Sequence, residues 1–244
     1  MLSDHLASVR RRIQQACLRS GRDPASVTLV AVTKGVSGDV IQQALALGMT
    51  DLGENRVQEA RAKQLALGSG LGVPDPEPRA PSPELVRWHL IGHLQRNKVR
   101  LAVELFDVVH SVDSVELVEA LGEAASRKLQ AAGRRLATFI QVNISGEPSK
   151  FGCQPEETPI LVQAISGRPQ LKLTGLMALA PFSENPEDAR PHFRRLRQLR
   201  DDLVESGVLQ PAALSMGMSN DFEVAIEEGA TIVRIGTALF GRRT

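Results

Sequence analysis

Tyrosine is missing from this chain altogether, and aromatic residues of any kind make up only 3% of it, with a single tryptophan. Chemistry that relies on a phenol as acid or base is therefore closed to it, whether the phenol would come from the chain or from an identical subunit. An aromatic platform for stacking single-stranded nucleic acid is equally hard to build. Cysteine is scarce too. Cys17 and Cys153 stand alone in unlike contexts, so neither a disulfide framework nor a thiolate metal site is expected, which suits a reducing cytoplasm. No apolar run approaches the ~20 residues needed to cross a bilayer. The opening Met-Leu-Ser-Asp-His lacks the basic-then-apolar order of a signal peptide. Nor does charge of one sign dominate: 29 Lys and Arg face 28 Asp and Glu. No global field draws nucleic acid or an anionic membrane, and neither is expected as a partner.

What is present suits an α/β fold. The chain has 244 residues, 42% of them hydrophobic, which is the size of a single (β/α)8 barrel and enough for a large core. The stretch around which the rest is organised is Thr28-Leu-Val-Ala-Val-Thr-Lys34. Leu29 to Val32 is an unbroken apolar run of the kind buried on both faces in a parallel sheet. It ends in a lysine, followed by Gly35. At the C-terminal lip of a parallel strand a partly desolvated lysine gains free-amine character and attacks carbonyls. The plain alternative is a lysine that ends a strand and snorkels to water.

An amphipathic helix over residues 4–19, capped by Ser3, precedes this strand. Leu6, Val9, Ile13, Ala16 and Cys17 form its apolar stripe. Strand–helix alternation then repeats eight times. The strands are expected at 51–55, 86–91, 106–110, 136–142, 171–176, 212–216 and 231–235 after the first, and one final turn of helix at 237–240. Residues 68–84 are rich in Gly and Pro and read as a mobile surface insertion within one domain spanning 1–244, not as a boundary. The long helix near 185–206 carries Arg194, Arg195, Arg197 and Arg200, which read as a solvated face. Strict alternation fits a closed barrel or a doubly wound sheet. Eight units in this length favour the barrel, and no Gly-x-Gly-x-x-Gly follows the first strand.

In a barrel every strand delivers its C-terminal residue to one mouth. Lys34, Glu54, Asn55, His93, Gln95, His110, Asn143, Met177, Ser215, Gly217, Ser219, Arg234, Gly236 and Thr237 are expected there. Ser215-Met-Gly-Met-Ser219 and Gly236-Thr237 follow strands seven and eight, where barrels commonly cradle a phosphate on backbone amides and hydroxyls. Turn formation alone would also explain these glycines and serines. An amine and a phosphate cradle on one rim suggest pyridoxal 5′-phosphate bound as a Schiff base, with a Schiff-base aldolase acting on a sugar phosphate as the alternative. His93 and His110 read as structural, and Cys153 as an inert thiol in a loop.

Several segments together make the chain recognisable: Leu29-Val-Ala-Val-Thr-Lys34, Gly53-Glu-Asn-Arg-Val-Gln-Glu59, Trp88-His-Leu-Ile-Gly-His-Leu-Gln-Arg-Asn-Lys98, Val142-Asn-Ile-Ser-Gly-Glu-Pro-Ser-Lys-Phe-Gly152, Gly175-Leu-Met177, Leu214-Ser-Met-Gly-Met-Ser-Asn-Asp221 and Val233-Arg-Ile-Gly-Thr-Ala-Leu-Phe-Gly241. In them the sequence resembles the pyridoxal phosphate homeostasis protein family. Members of that family are similar to the N-terminal barrel of alanine racemase standing alone, a fold-type III arrangement. The resemblance implies that Lys34 carries the Schiff base and that Asn55 lines the pocket. It also implies that Ser215, Gly217, Gly236 and Thr237 hold the phosphate and that Arg234 faces the pyridine nitrogen. Met177 belongs to the same expected pocket. Function is then expected to be cofactor buffering or delivery by a monomer, with PLP-dependent apo-enzymes as recipients. The enzymatic alternative is a PLP-dependent amino-acid racemase. Two features speak against it. A guanidinium leaves the ring nitrogen unprotonated, which makes a poorer electron sink. Alanine racemase also draws a tyrosine from a partner subunit for the second face of its substrate. The main departure from the family pattern is the long segment 68–84.

Overall fold

The computed structural model describes residues 1–70, 86–128, 134–147 and 150–241. Helix α1 (Leu2–Arg19) comes first and buries the stripe Leu6, Val9, Ile13, Ala16 and Cys17. It begins two residues earlier than expected. Ser3 lies inside the first turn, and the Met1 amino group pairs with Asp4 at 2.8 Å. Eight strands follow: β1 (Thr28–Val32), β2 (Asp51–Glu54), β3 (Arg87–Leu90), β4 (Val108–Val112), β5 (Leu136–Gln141), β6 (Leu171–Met177), β7 (Ala213–Ser215) and β8 (Ile232–Ile235). Each pairs in parallel with the next, and β8 returns to β1 with Val30 opposite Arg234, closing the barrel. The intervening helices are α2 (Gly38–Ala46), α3 (Val57–Gly70), α4 (Val99–Leu105), α5 (Val115–Lys128), α6 (Thr158–Ser166), α7 (Arg190–Glu205) and α8 (Phe222–Glu227), with α9 (Thr237–Phe240) at the end. The expected α/β barrel with an extra N-terminal helix is the observed fold.

Alternation along each strand sorts side chains into two cores. The larger lies between strands and helices and includes Ala31, Leu52, Leu90, Val109, Ile140, Leu176, Leu214 and Val233. The smaller fills the barrel interior with Val30, Val108, Phe139, Met177 and Ile232. Helix α1 packs against α8 and α9. Arg12 pairs with Glu223 at 2.6 Å and lies over the Phe222 ring, and Arg19 pairs with Glu227 at 2.7 Å.

Three expectations need correction. First, β4 starts two residues later than read. Phe106 caps α4 through its amide to Ala102, and the Asp107 carboxylate accepts from the Trp88 amide at 2.9 Å. His110 consequently sits in mid-strand, fully buried, and not at the mouth. Second, residues 68–70 continue α3 instead of beginning an insertion. Residues 71–84 lie outside the described residues. Third, the arginines of α7 form more than a solvated face: Arg194 and Arg195 are exposed, yet all four have partners on the barrel side. Arg194 and Arg197 converge on Glu228 at 3.0 and 3.2 Å, joined by Arg190 at 3.2 Å. Arg195 reaches the Ile144 carbonyl and Arg200 the Ala212 carbonyl. A nearly buried carboxylate at the end of α8 thus ties α7 to the barrel by a network, the arrangement in which ion pairs contribute most.

Candidate functional site

Lys34 stands two residues beyond β1, on the inward-facing register of Val30 and Val32. It is exposed, so the partial desolvation expected of it is not seen. Its turn is held firmly. The Val36 amide donates to the Thr33 carbonyl at 2.8 Å, and Gly35 adopts φ 66°. Behind the turn, Glu54 accepts from the Thr33 hydroxyl at 2.6 Å, and Lys63 donates to the Thr33 carbonyl at 2.6 Å. The next inward position on β2 is the half-buried Asn55. Gly92 lets β3 pass close to it: a Cβ there would collide with the Asn55 backbone.

Opposite, the loop after β7 turns at Gly217, whose φ is 92° and whose missing Cβ leaves room for Ala225 and Phe222 of α8. The Asp221 carboxylate accepts the Met218 amide at 2.6 Å and closes this loop. Burial raises the Asp221 carboxyl above the ordinary carboxylate range, while that amide and the Arg234 charge oppose the shift. Ser219 reaches the neighbouring loop, its Oγ accepting the Ala238 amide at 3.1 Å and keeping its own proton to donate. Gly236 and the exposed Thr237 start α9 beside it. The first amides of a helix have no partner within it.

Arg234 forms the floor. It is 3% exposed, donates through Nη1 to Ser215 Oγ at 2.6 Å and through Nη2 to the Ala178 carbonyl at 3.0 Å. Burial pulls its guanidinium down to about 10, with Asp221 opposing, so it remains charged at neutral pH. Register places Arg234 level with Val30, hence two inward steps below Lys34, or about 13 Å along the strands at ~3.3 Å per residue. Met177 belongs to the apolar layer at this depth. Ser215 is fully buried, and its hydroxyl is engaged by His110 at 2.9 Å as well as by Arg234. The hydroxyl expected to face a phosphate is thus turned into the barrel.

The structure also joins residues that the sequence did not single out. His89 Nε2 lies 2.9 Å from Asp51 Oδ1, and His89 Nδ1 lies 2.9 Å from His110 Nε2. With Ser215 and Arg234 they form one buried line through the interior. The inward register of β2 and β3 was the signal that could have found Asp51 and His89. At the mouth, His93 stacks on Phe151 with ring centroids 4.0 Å apart and lies 3.6 Å from Asp113. Burial raises the Asp113 carboxyl, and His93 opposes that shift. Cys153 is buried and not an exposed loop thiol; burial pushes it up to about 12. No metal-binding cluster of His, Cys, Asp or Glu occurs among the described residues. No helix among them is long and apolar enough to cross a membrane.

Comparison with known proteins agrees with the barrel fold. Residues 5–244 match the profile of the alanine racemase N-terminal domain. A pyridoxal phosphate homeostasis protein of Pseudomonas aeruginosa is 43% identical over 242 residues, covering 99% of this chain and 96% of the relative. That of Aquifex aeolicus is 41% identical over 240 residues, covering 98% and 97%. Among solved structures, PipY of Synechococcus elongatus with PLP bound superposes with a TM-score of 0.79 at 35% identity, covering 99% of this chain and 100% of that one. Alanine racemase of Clostridium difficile shares the fold at TM-score 0.68 and 15% identity, covering 99% of this chain and 56% of its own. Two relatives above 40% identity over nearly their whole length place the chain in the pyridoxal phosphate homeostasis protein family.

Proposed function

We propose that this protein binds pyridoxal 5′-phosphate at the barrel mouth and serves its homeostasis by buffering and delivering it. The observation that carries this reading is the combination of an exposed rim amine, Lys34, with a buried guanidinium, Arg234, oriented by two hydrogen bonds in the floor beneath it. Such a donor set suits an aldehyde at one end of a flat heterocycle and an acceptor ring nitrogen at the other. When bound, the cofactor supplies an electrophilic aldehyde and an electron-accepting ring.

The chain's residues divide the task. Lys34 holds the aldehyde covalently, and the Glu54–Lys63–Thr33 cluster keeps its turn in place. Asn55 lines the ring pocket and Met177 packs beneath it. The Gly217 loop and the Gly236–Thr237 amides take the phosphate. Ser219, with a proton left to donate, replaces the Ser215 hydroxyl in that role, and Ser215 serves the site through Arg234.

Delivery calls for contact with an acceptor protein. The loops after β5, β6 and β7 expose Phe151, Leu179, Phe182 and Met218 around the mouth, an apolar rim that suits docking of PLP-dependent apo-enzymes. Two buried free cysteines suit the cytoplasm.

The test is direct. Protein loaded with pyridoxal 5′-phosphate is reduced with borohydride, digested and mapped by mass spectrometry. The label is expected on Lys34 and lost in Lys34→Ala. An undiminished label on another lysine in that variant would overturn the assignment.

A further inference from the structure

The buried line Asp51–His89–His110–Ser215–Arg234 crosses the interior from the N-terminal end of β2 to the floor of the mouth, and its proton directions follow from its ends. Arg87 donates to Asp51 Oδ1 at 2.8 Å, as His89 does at 2.9 Å. Burial pushes the Asp51 carboxyl up, but these two partners outweigh it and hold the carboxyl below its ordinary range. An ionised carboxylate only accepts, so His89 carries its proton on Nε2. At the other end Arg234 only donates, so the buried Ser215 hydroxyl proton goes to His110 Nδ1, the remaining partner of that oxygen, at 2.9 Å. The His110 proton is then on Nε2, and His89 Nδ1 takes it at 2.9 Å. Ser215 Oγ is left with lone pairs alone, and Arg234 Nη1 donates to one at 2.6 Å. Every link points the same way, from arginine to aspartate. His110 is held in plane by stacking on Phe139, at 4.6 Å between centroids and 7° between planes.

We propose that Asp51, His89 and His110 are positioning residues that work through Ser215 to hold the Arg234 guanidinium in one donating orientation, making the floor selective for a ring that carries an acceptor atom there. The proposal rests on the cofactor reading only for its ligand, since the proton directions are a property of the barrel's own side chains. A polar line of this kind displaces the branched apolar side chains that normally fill such an interior. It is tolerated because every heavy atom named in it has a partner. It also explains why the Ser215 hydroxyl is withheld from the phosphate: its one proton is given to His110 Nδ1.

Two measurements test it. Long-range 1H–15N correlation spectra of the cofactor-free protein at pH 8 report the imidazole tautomers. His89 and His110 are both expected to be protonated at Nε2 alone. A proton on Nδ1 of either ring overturns the relay whatever the cofactor does. The second measurement compares affinity for pyridoxal 5′-phosphate with that for its analogue in which the ring nitrogen is replaced by CH. The wild type is expected to prefer the nitrogen-containing ring by about tenfold or more, the worth of one charge-assisted hydrogen bond. His110→Phe keeps a flat ring against Phe139 but cannot orient Ser215. It is expected to lose most of that preference and to shift the visible band of the bound cofactor. Equal weakening for both ligands, with the preference intact, would reduce His110 to a packing residue and overturn the positioning role. Wild-type protein that takes up neither compound would overturn the cofactor reading itself and leave the tautomer result to stand alone.

Discussion

Lys63 Nζ lies 2.7 Å from Glu54 Oε1, and the two meet directly behind the turn that presents Lys34. Glu54 is fully buried and Lys63 only slightly exposed. Lys63 also pairs with Glu59 at 2.6 Å, and Glu59 in turn accepts the Gly35 amide. The lysine turn is thus clamped on both sides by a charge cluster carried on β2 and α3.

Removing one half of a buried pair leaves the other half uncompensated, which costs about 3–5 kcal/mol. Lys63→Ala is therefore expected to lower the melting temperature by roughly 6–20 °C, at 2–4 °C per kcal/mol for a chain of this size. The loss should depend on pH. Burial already raises the Glu54 carboxyl above its ordinary value, with Lys63 and Thr33 opposing, and without Lys63 it rises further. A carboxyl raised in the folded state binds its proton more tightly there than in the unfolded chain. Its contribution is full below the unfolded value and is lost as pH rises through the folded value. The variant should come closer to wild type on acidification towards the ordinary carboxylate range. Thermal melts across that range check this; a deficit that grows on acidification would remove Glu54 as its source.

Thr237 is exposed at the start of α9, next to the Ser219 loop. A hydroxyl donating to a phosphate is worth about 1.5–3 kcal/mol. Thr237→Val should weaken pyridoxal 5′-phosphate binding by roughly ten- to a hundredfold, at 1.4 kcal/mol per tenfold. Equilibrium titration of the visible band measures it, and unchanged affinity takes Thr237 out of the site.

Both thiols should be inert in the folded protein. Cys17 and Cys153 are buried, and burial raises both, Cys153 to about 12. Since the thiolate is the nucleophile, iodoacetamide at neutral pH is expected to label neither until the chain unfolds. Rapid native-state labelling of Cys153, read by mass spectrometry, would show that its loop opens.

How much of this was legible in the sequence follows from what each residue does. The barrel was, because each strand is a short apolar run between helices with clear stripes, as in Leu29–Val32 or Leu6–Cys17. The rim was legible where glycine and a charged residue end a strand, as at Lys34-Gly35. The interior was not. Asp51 and His89 are polar residues near the bases of their strands, where apolar filling is the rule, and only the barrel closure brings them to His110. His110 was misplaced because Asp107, which looks like strand, instead accepts the Trp88 amide. The α7 arginines were misread for a similar reason: their partner, Glu228, lies 34 residues away from Arg194, beyond the reach of any local pattern.

We propose that the shared fold with alanine racemase does not carry its chemistry with it. Racemisation by two bases takes a proton from one face of the substrate carbon and returns one to the other. In the proposed site Lys34 would serve one face once a substrate amine displaced it. The chain has no tyrosine for the second face, and a second copy would bring none. Histidine is the remaining neutral-pH base. His89 and His110 are committed to each other and to Asp51 and Ser215 inside the barrel. His5 is tied to the Leu239 carbonyl at 2.9 Å, and His93 is stacked on Phe151 beside Asp113. His192 lies on α7, on the outer layer. A base must come within about 3 Å of the proton it moves, and His93 is the ring nearest the mouth. Freeing it would break its stack with Phe151. The floor adds a second obstacle. In the proposed site Arg234 would donate to the ring nitrogen and could not accept a proton from it, so the ring would stay a weak electron sink. Alanine incubated with the loaded protein, purified from a host lacking racemases, is expected to racemise no faster than with free cofactor. A turnover of about 1 s⁻¹ or more, the lower range of ordinary enzymes, would place catalysis ahead of cofactor delivery and identify His93 as the first residue to replace.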